Sequence, residues 1–135
     1  MSQPFWLTKV AIQAIHGRLL AEHGGASGLR DESLLESALA APVNHFEYDK
    51  ADVFVLAATY AHALTSNHPF LDGNKRTAFA AAGIFLELNG YRLTASEPDA
   101  VLAVLALSKG EMNEEEFCNW LRISSIELSE IDKMD

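Results

Sequence analysis

The sequence contains a single cysteine, Cys118, so no intrachain disulfide can form. It also lacks any apolar run of the ~18 residues that a membrane-spanning helix requires. The N-terminal residues show neither the basic start nor the small-residue cleavage site of a signal peptide. Together these absences predict a cytoplasmic protein that has no membrane contact.

Basic residues are scarce: the chain has 10 Lys and Arg against 19 Asp and Glu, which gives a formal net charge of −9. A protein that binds nucleic acid directly usually presents a basic face to the phosphate backbone. We therefore expect no direct nucleic-acid binding. Almost half of the 135 residues are hydrophobic, which is enough to build the core of one domain spanning residues 1–135.

Apolar residues recur at helical spacing along most of the chain, and no long stretch alternates with the period of two that marks a strand. The fold class predicted from this pattern is all-α, a helical bundle. Six helices are expected. They run from after Thr8 to Gly24, from after Asp31 to just before Pro42, from near Ala51 to Thr65, from near Asn74 to Gly90, from Pro98 to Ser108 and from near Asn113 to Ile123. Residues 43–50 are predicted to form a connecting loop or flap.

The fourth predicted helix reads NKRTAFAAAGIFLELNG and is apolar on nearly every side beyond its first turn. A helix with this pattern belongs in the middle of a bundle. Its many alanines would let neighbouring helices approach closely.

Polar side chains of many kinds are gathered in residues 67–79, NHPFLDGNKRTAF, where this fourth helix starts. A helix N-terminus attracts anions through its unpaired backbone N–H groups and the positive end of its dipole. Gly73 would let a ligand approach the backbone. Asn74 can donate or cap the helix, and Lys75 and Arg76 add two cations. The pattern indicates a phosphate-binding site.

Asp72 would repel a phosphate unless a cation lay between the two groups. Mg²⁺ is usually held by one or two protein carboxylates together with substrate phosphates and water. His68 supplies an imidazole, which accepts a proton near neutral pH. A metal ligand, a general base and an anion-binding segment within nine residues indicate a group-transfer site.

Two other interpretations of these residues remain open at this stage. Asp72 or Asn74 could be an ordinary helix N-cap, although two cations at a helix N-terminus would then oppose the dipole. Alternatively, His62, His68 and Asp72 could be zinc ligands, although the two histidines lack the i, i+4 spacing of a helical zinc site.

The other candidate reactive side chains are interpreted as structural. Cys118 is expected to be a small apolar packing residue rather than a nucleophile. Surface or packing roles are also expected for the remaining histidines, which are His16, His23, His45 and His62.

Residues 68–76, HPFLDGNKR, resemble the signature of the Fic/Doc (filamentation and death-on-curing) family, and they are most similar to its death-on-curing branch. GLRDESLLESALAAP upstream and TAFAAAGIFLELNGYRL downstream are similar to the flanking sequences of that branch. The resemblance therefore covers most of the chain. It implies a compact all-α fold in which the motif loop precedes a central buried helix.

The resemblance also implies a role for each motif residue. His68 would be the general base that takes the proton from an acceptor hydroxyl. Phe70 would anchor the loop in the core, and Asp72 would hold Mg²⁺ against the phosphates of ATP.

The remaining motif residues would bind the nucleotide. Gly73, Asn74 and Lys75 would form an anion hole with their backbone amides. Lys75 and Arg76 would pair with phosphate oxygens.

Lys75 bears on which phosphate is transferred. Fic-type adenylyltransferases commonly carry glycine at this position and a second arginine where this chain has Phe79, whereas death-on-curing toxins carry lysine. The resemblance therefore implies transfer of the γ-phosphate of ATP to a protein hydroxyl, with a threonine of elongation factor Tu as the target and translation arrest as the result. Ala80 stands where that branch has asparagine and Gly73 where it has alanine, which leaves adenylyl transfer as an alternative.

An antitoxin partner is implied as well. Some relatives carry their own inhibitory helix, marked by Ser or Thr, three intervening residues and then Glu with Gly or Asn, and this sequence has no such pattern. The resemblance thus implies inhibition in trans by an antitoxin that folds a helical segment onto the toxin near the active site. A third possibility is a catalytically silent domain that only pairs with an antitoxin.

Overall fold

The computed structural model describes residues 3–129, which form six helices and two short strands. In chain order these are α1 (Lys9–His23), α2 (Glu32–Asp49), α3 (Val53–Asn67), α4 (Asn74–Leu88), β1 (Tyr91–Leu93), α5 (Glu97–Lys109), α6 (Glu114–Ile123) and β2 (Ser125–Glu127). The predicted all-α class is confirmed. Apart from the end of α2, every predicted helix boundary lies within two residues of the observed one.

Most helices begin at a side chain that accepts a hydrogen bond from the backbone of the first turn. The residues that do so for α1, α2, α3, α5 and α6 are Thr8, Asp31, Asp52, Ser96 and Asn113. The predicted caps at Thr8 and Asp31 are thereby confirmed. In contrast, α4 follows Gly73 and has no side-chain cap.

The second helix is longer than the sequence pattern predicted. It runs through Pro42 to Asp49, so the predicted helix end before Pro42 and the predicted flap at residues 43–50 are both wrong. Proline removes one backbone hydrogen bond from a helix. Pro42 nevertheless lies on one buried face with Ala38 and Phe46, at i, i+4 spacing, and burial of that face favours continuing the helix.

Helices α3 and α4 pack side by side at the centre of the molecule, and the rings of Tyr60 and Phe85 meet across their interface at 5.0 Å between centroids. The fourth helix was predicted to be central, and this is confirmed for its inner side, since Phe85 on that side is fully buried. On its outer side, Ile84 and Leu88 are 39% and 48% exposed. Helix α4 therefore keeps one apolar strip open to solvent.

Strands β1 and β2 form a small antiparallel ladder in which Tyr91 pairs with Glu127 and Leu93 with Ser125. Neither strand is predicted from the sequence, because three residues are too few to show an alternating pattern. Within residues 3–129, no helix is both long and apolar enough to cross a bilayer.

Cys118 is buried on α6, which confirms its expected packing role. Burial raises the pKa of its thiol, although the nearby guanidinium of Arg122 opposes this effect. A raised pKa leaves little thiolate at neutral pH, so Cys118 is poorly suited to act as a nucleophile.

Candidate active site

The motif residues lie in the short loop that joins α3 to α4. His68 ends α3 in the left-handed conformation, with φ of 53° and its backbone N–H donating to the carbonyl of Leu64. Positive φ is uncommon for residues other than glycine, so neighbouring contacts must hold this backbone in place. The imidazole of His68 is exposed and borders a large cavity.

Arg30, from the loop before α2, braces the first half of the motif. Its guanidinium donates to the carbonyls of His68 and Asn67 at 2.7 and 2.8 Å, and its backbone N–H donates to the carbonyl of Pro69 at 2.7 Å. A cation is also favourable at the C-terminal end of α3 because of the helix dipole. The upstream GLRD sequence therefore has a structural role in holding the motif loop.

Phe70 anchors the middle of the loop, as the family resemblance implies. Its side chain is 2% exposed and its ring stacks on His16 of α1, with 3.8 Å between centroids and 9° between planes. The Nε2 atom of His16 lies 2.8 Å from the carbonyl oxygen of Asp72. His16 is thus a buried packing residue, within the range of roles expected from the sequence.

Asn74 turns its side chain back into the loop. Its Oδ1 accepts from the backbone N–H of Phe70 at 3.0 Å, and its Nδ2 donates to the carbonyl of Phe70 at 2.9 Å. These two bonds fix which end of the amide is nitrogen. The same Nδ2 lies 3.1 Å from Nδ1 of His68, so a neutral His68 ring accepts at Nδ1 and carries its proton on Nε2.

Asp72 is held by the residues around it while remaining exposed toward the cavity. Its Oδ1 accepts from the backbone N–H of Gly73 at 2.8 Å, and its Oδ2 accepts from that of Ala26 at 3.4 Å. Neither Asp72 nor Asn74 caps α4, so the interpretation of these residues as an ordinary N-cap is wrong.

The N-terminus of α4 presents three backbone N–H groups, those of Asn74, Lys75 and Arg76, that meet no acceptor among the described residues. The first backbone hydrogen bond inside the helix comes one residue later, from Thr77 to Gly73. The amide of Gly73, which the resemblance assigns to the anion hole, is already bonded to Asp72. The backbone amides that are available to bind an anion are therefore those of residues 74–76, which form the anion cradle of the site.

Lys75 and Arg76 are both exposed beside these amides. Over residues 3–129, neither cation has a carboxylate oxygen within 4.0 Å. Both cations lie at the positive end of the helix dipole and lack carboxylate partners among those residues. Together they form a site that attracts anions strongly.

These groups open into a cavity of about 700 Å³. At its polar end lie His68, Asp72 and residues 73–76. The other walls come from α1, from the exposed side of α4, and from α5 with the loop before it. The residues that line these walls are Leu19, His23, Phe79, Ala80, Ala95, Glu97, Ala100, Val101, Val104 and Leu105. The walls from α1 and α5 could not be assigned to the site from the sequence, because their residues are ordinary helix positions far from the motif in the chain.

The zinc interpretation is contradicted by the structure. Across the described part of the chain, no group of three or more His, Cys, Asp or Glu side chains is arranged to hold a metal ion. His62 is exposed on α3, where its Nε2 lies 3.4 Å from the hydroxyl of Ser66. A metal bound at Asp72 would need ligands from a substrate and from water.

Comparison with known proteins identifies the family of the chain. A family model described as the Fic/DOC family matches residues 6–86. The chain is 33% identical over 110 residues to "Protein kinase doc" of Escherichia phage P1, covering 81% of this chain and 86% of the relative. It is 42% identical over 74 residues to "Toxin Doc" of Mycolicibacterium smegmatis, covering 53% of this chain and 57% of that protein. The chain belongs to the Fic/DOC family.

Proposed function

We propose that the protein is a toxin of a toxin–antitoxin pair that transfers the γ-phosphate of ATP to a protein hydroxyl. The observation that carries this proposal is the uncapped start of α4, where three available amides and two cations face a cavity shared with His68 and Asp72. The names of the two relatives, a protein kinase and a toxin, support the same activity.

The triphosphate would lie against the start of α4. Backbone amides from Asn74 to Arg76 and the side chains of Lys75 and Arg76 suit phosphate oxygens, because both supply positive charge that needs no reorganisation. The apolar α5 wall, including Ala100 and Val104, leaves room for the nucleoside.

Magnesium fits the donor set of this site. Asp72 offers one exposed carboxylate directly beside the anion cradle, and a single carboxylate plus phosphates and water is the usual way in which proteins bind Mg²⁺ with nucleotides. Bound there, the ion would neutralise phosphate charge that develops during transfer. Without a cation, Asp72 would repel the same phosphates.

His68 would take the proton of the target hydroxyl. The hydroxyl oxygen forms a bond to the γ-phosphorus as the bond between that phosphorus and the bridging oxygen breaks, and ADP leaves. In the tautomer that Asn74 favours, the basic lone pair is on Nδ1. The exposed imidazole must therefore turn Nδ1 from the Asn74 amide toward the hydroxyl as the substrate binds.

Adenylyl transfer is the alternative that the motif itself supports, because residues 72–74 read DGN as in Fic-type enzymes. Lys75 and Phe79 favour phosphoryl transfer. Lys75 occupies space at the cradle that glycine would leave empty, and Phe79 gives the cavity wall an apolar ring where those enzymes place a second cation.

A threonine of elongation factor Tu is the proposed target, with translation arrest as the consequence. An antitoxin is the proposed regulator. The open apolar strip of α4 extends from the cavity past Gly83 and Ile84 to the ion pair between Glu87 and Arg92. This strip suits an amphipathic helical segment whose binding would also cover the nucleotide site.

Incubation with elongation factor Tu and ATP labelled at either the γ- or the α-phosphate tests the proposal. Label transferred from the γ-position alone is the expected result. Label from the α-position would instead identify an adenylyltransferase, and no transfer from either position would support a silent antitoxin-binding domain.

The orientation of the nucleotide is tested by two variants of one residue. Lys75→Gly should lower γ-transfer at least about tenfold because it removes a cation from the phosphate site. Lys75→Arg keeps that cation and should retain more activity. Normal γ-transfer by Lys75→Gly would show that the lysine does not set the orientation.

A further inference from the structure

His16 is a buried imidazole whose two interactions both reach the motif loop. It lies on α1, is 5% exposed, and stands 56 positions before Asp72 in the chain. Because a carbonyl oxygen can only accept, Nε2 of His16 donates to the backbone carbonyl of Asp72 at 2.8 Å. The ring face covers Phe70, so the imidazole is held flat while it donates.

The carboxylate of Asp72 is held from the same direction. Its Oδ2 accepts from the N–H of Ala26 in the loop that follows α1. Gly25 approaches so closely that a Cβ at that position would lie 2.7 Å from the same oxygen. Helix α1 and its following loop therefore contact the carbonyl and the carboxylate of this one residue.

Packing alone does not require an imidazole at position 16. A phenylalanine would cover Phe70 equally well, but it would leave the carbonyl of Asp72 without this donor. Loss of this hydrogen bond costs free energy, and a carbonyl that is no longer held would let the attached carboxylate move.

We propose that His16 is a positioning residue that fixes Asp72 for binding a divalent cation with the nucleotide. This inference rests on the proposed function. Groups that orient a metal-ligating side chain typically change metal affinity by about tenfold to a hundredfold when they are removed. His16 acts through Asp72 and touches neither the metal nor the phosphates.

The test compares His16→Phe, which keeps the stacked ring, with His16→Gln, whose amide nitrogen can replace Nε2 as donor. His45→Phe is the matched control, since His45 makes its hydrogen bond to Thr59 on another part of the fold. ATP binding is measured by calorimetry over a range of Mg²⁺ concentrations and again in chelator, and urea unfolding reports the stability of each variant.

We expect His16→Phe to raise the Mg²⁺ concentration needed for half-maximal ATP binding at least about tenfold, with ATP binding in chelator unchanged. His16→Gln should restore most of the loss, and His45→Phe should behave as the wild type. If His16→Phe does not fold, His16→Asn takes its place, because its amide is too short to reach Asp72.

A loss of stability without any change in the Mg²⁺ requirement would show that His16 is only structural, and failure of His16→Gln to restore binding would also overturn the inference. Absence of Mg²⁺-dependent ATP binding by the wild type would overturn the proposed function together with the inference. If the wild type binds ATP in an Mg²⁺-dependent way and His16→Phe leaves that dependence unchanged, only the inference is overturned.

Discussion

The amide nitrogen of Asn74 lies 3.1 Å from Nδ1 of His68, while the rest of the same amide satisfies both backbone groups of Phe70. One buried side chain thus shapes the loop and also contacts the proposed base. Helix α4 consequently begins without a side-chain cap, because Asn74 faces the loop and leaves the N-terminal amides to the cavity.

Asn74→Ala should lower the free energy of unfolding by about 2–4 kcal/mol, because it leaves the N–H and carbonyl of Phe70 unsatisfied in the interior. Urea unfolding followed by circular dichroism measures the change. A change below about 0.5 kcal/mol for Asn74→Ala would contradict the contacts described.

His68→Ala should reduce phosphoryl transfer at least about a hundredfold while leaving the fold intact, because the imidazole is exposed and is the proposed base. His62→Ala is the matched control, being an exposed histidine of α3 that does not border the cavity. Initial rates and thermal unfolding are measured for both. Equal rates in the two variants would remove His68 from the mechanism.

Gly25 and Gly24 form a matched pair for testing how Asp72 is held. Both have positive φ, so either change to alanine introduces backbone strain, but only a Cβ at Gly25 would meet the Asp72 carboxylate. Gly25→Ala should therefore weaken Mg²⁺-dependent ATP binding at least about tenfold, whereas Gly24→Ala should change mainly stability. Identical binding by the two variants, measured by calorimetry, would argue against this contact.

The raised pKa of Tyr60 predicts that the protein loses stability at alkaline pH. Burial raises its pKa to about 12, although its hydrogen bond with the backbone of Leu7 opposes the shift. In the unfolded chain its pKa is about 10, so the unfolded state loses the proton first and the free energy of unfolding falls as pH rises from about 10 to 12.

The total fall from Tyr60 should not exceed about 2–3 kcal/mol. Urea titrations between pH ~9 and pH ~12 measure it, and Tyr60→Phe supplies the comparison because it removes the ionisable group. An equally steep fall in Tyr60→Phe would assign the effect to other residues.

The sequence predicted those parts of the fold that depend on nearby residues. Caps such as Thr8 and Asp31 and the apolar periodicity of α4 act within a few positions, so their signals are visible in the chain itself. The end of α2 was mispredicted because Pro42 is a local helix breaker, while the burial of Phe46 that overrides it depends on packing across the core.

The site was predicted only in part for the same reason. The motif loop is one continuous segment, so its polar residues stand out. The hydrogen bond between His16 and Asp72 spans 56 positions, and the α5 wall reaches the cavity only after the bundle has formed. Neither feature leaves a local pattern in the sequence. Nothing in the sequence around His16 distinguishes it from any other histidine on a helix.

The most direct test of the central claim is a titration of ¹⁵N-labelled protein with ATP and Mg²⁺, followed by the chemical shifts of its backbone amides. We expect the largest shifts at the amides of Asn74, Lys75 and Arg76, and much smaller changes at those positions with adenosine. Binding that leaves these three amides unmoved while other residues shift would contradict a nucleotide site at the start of α4.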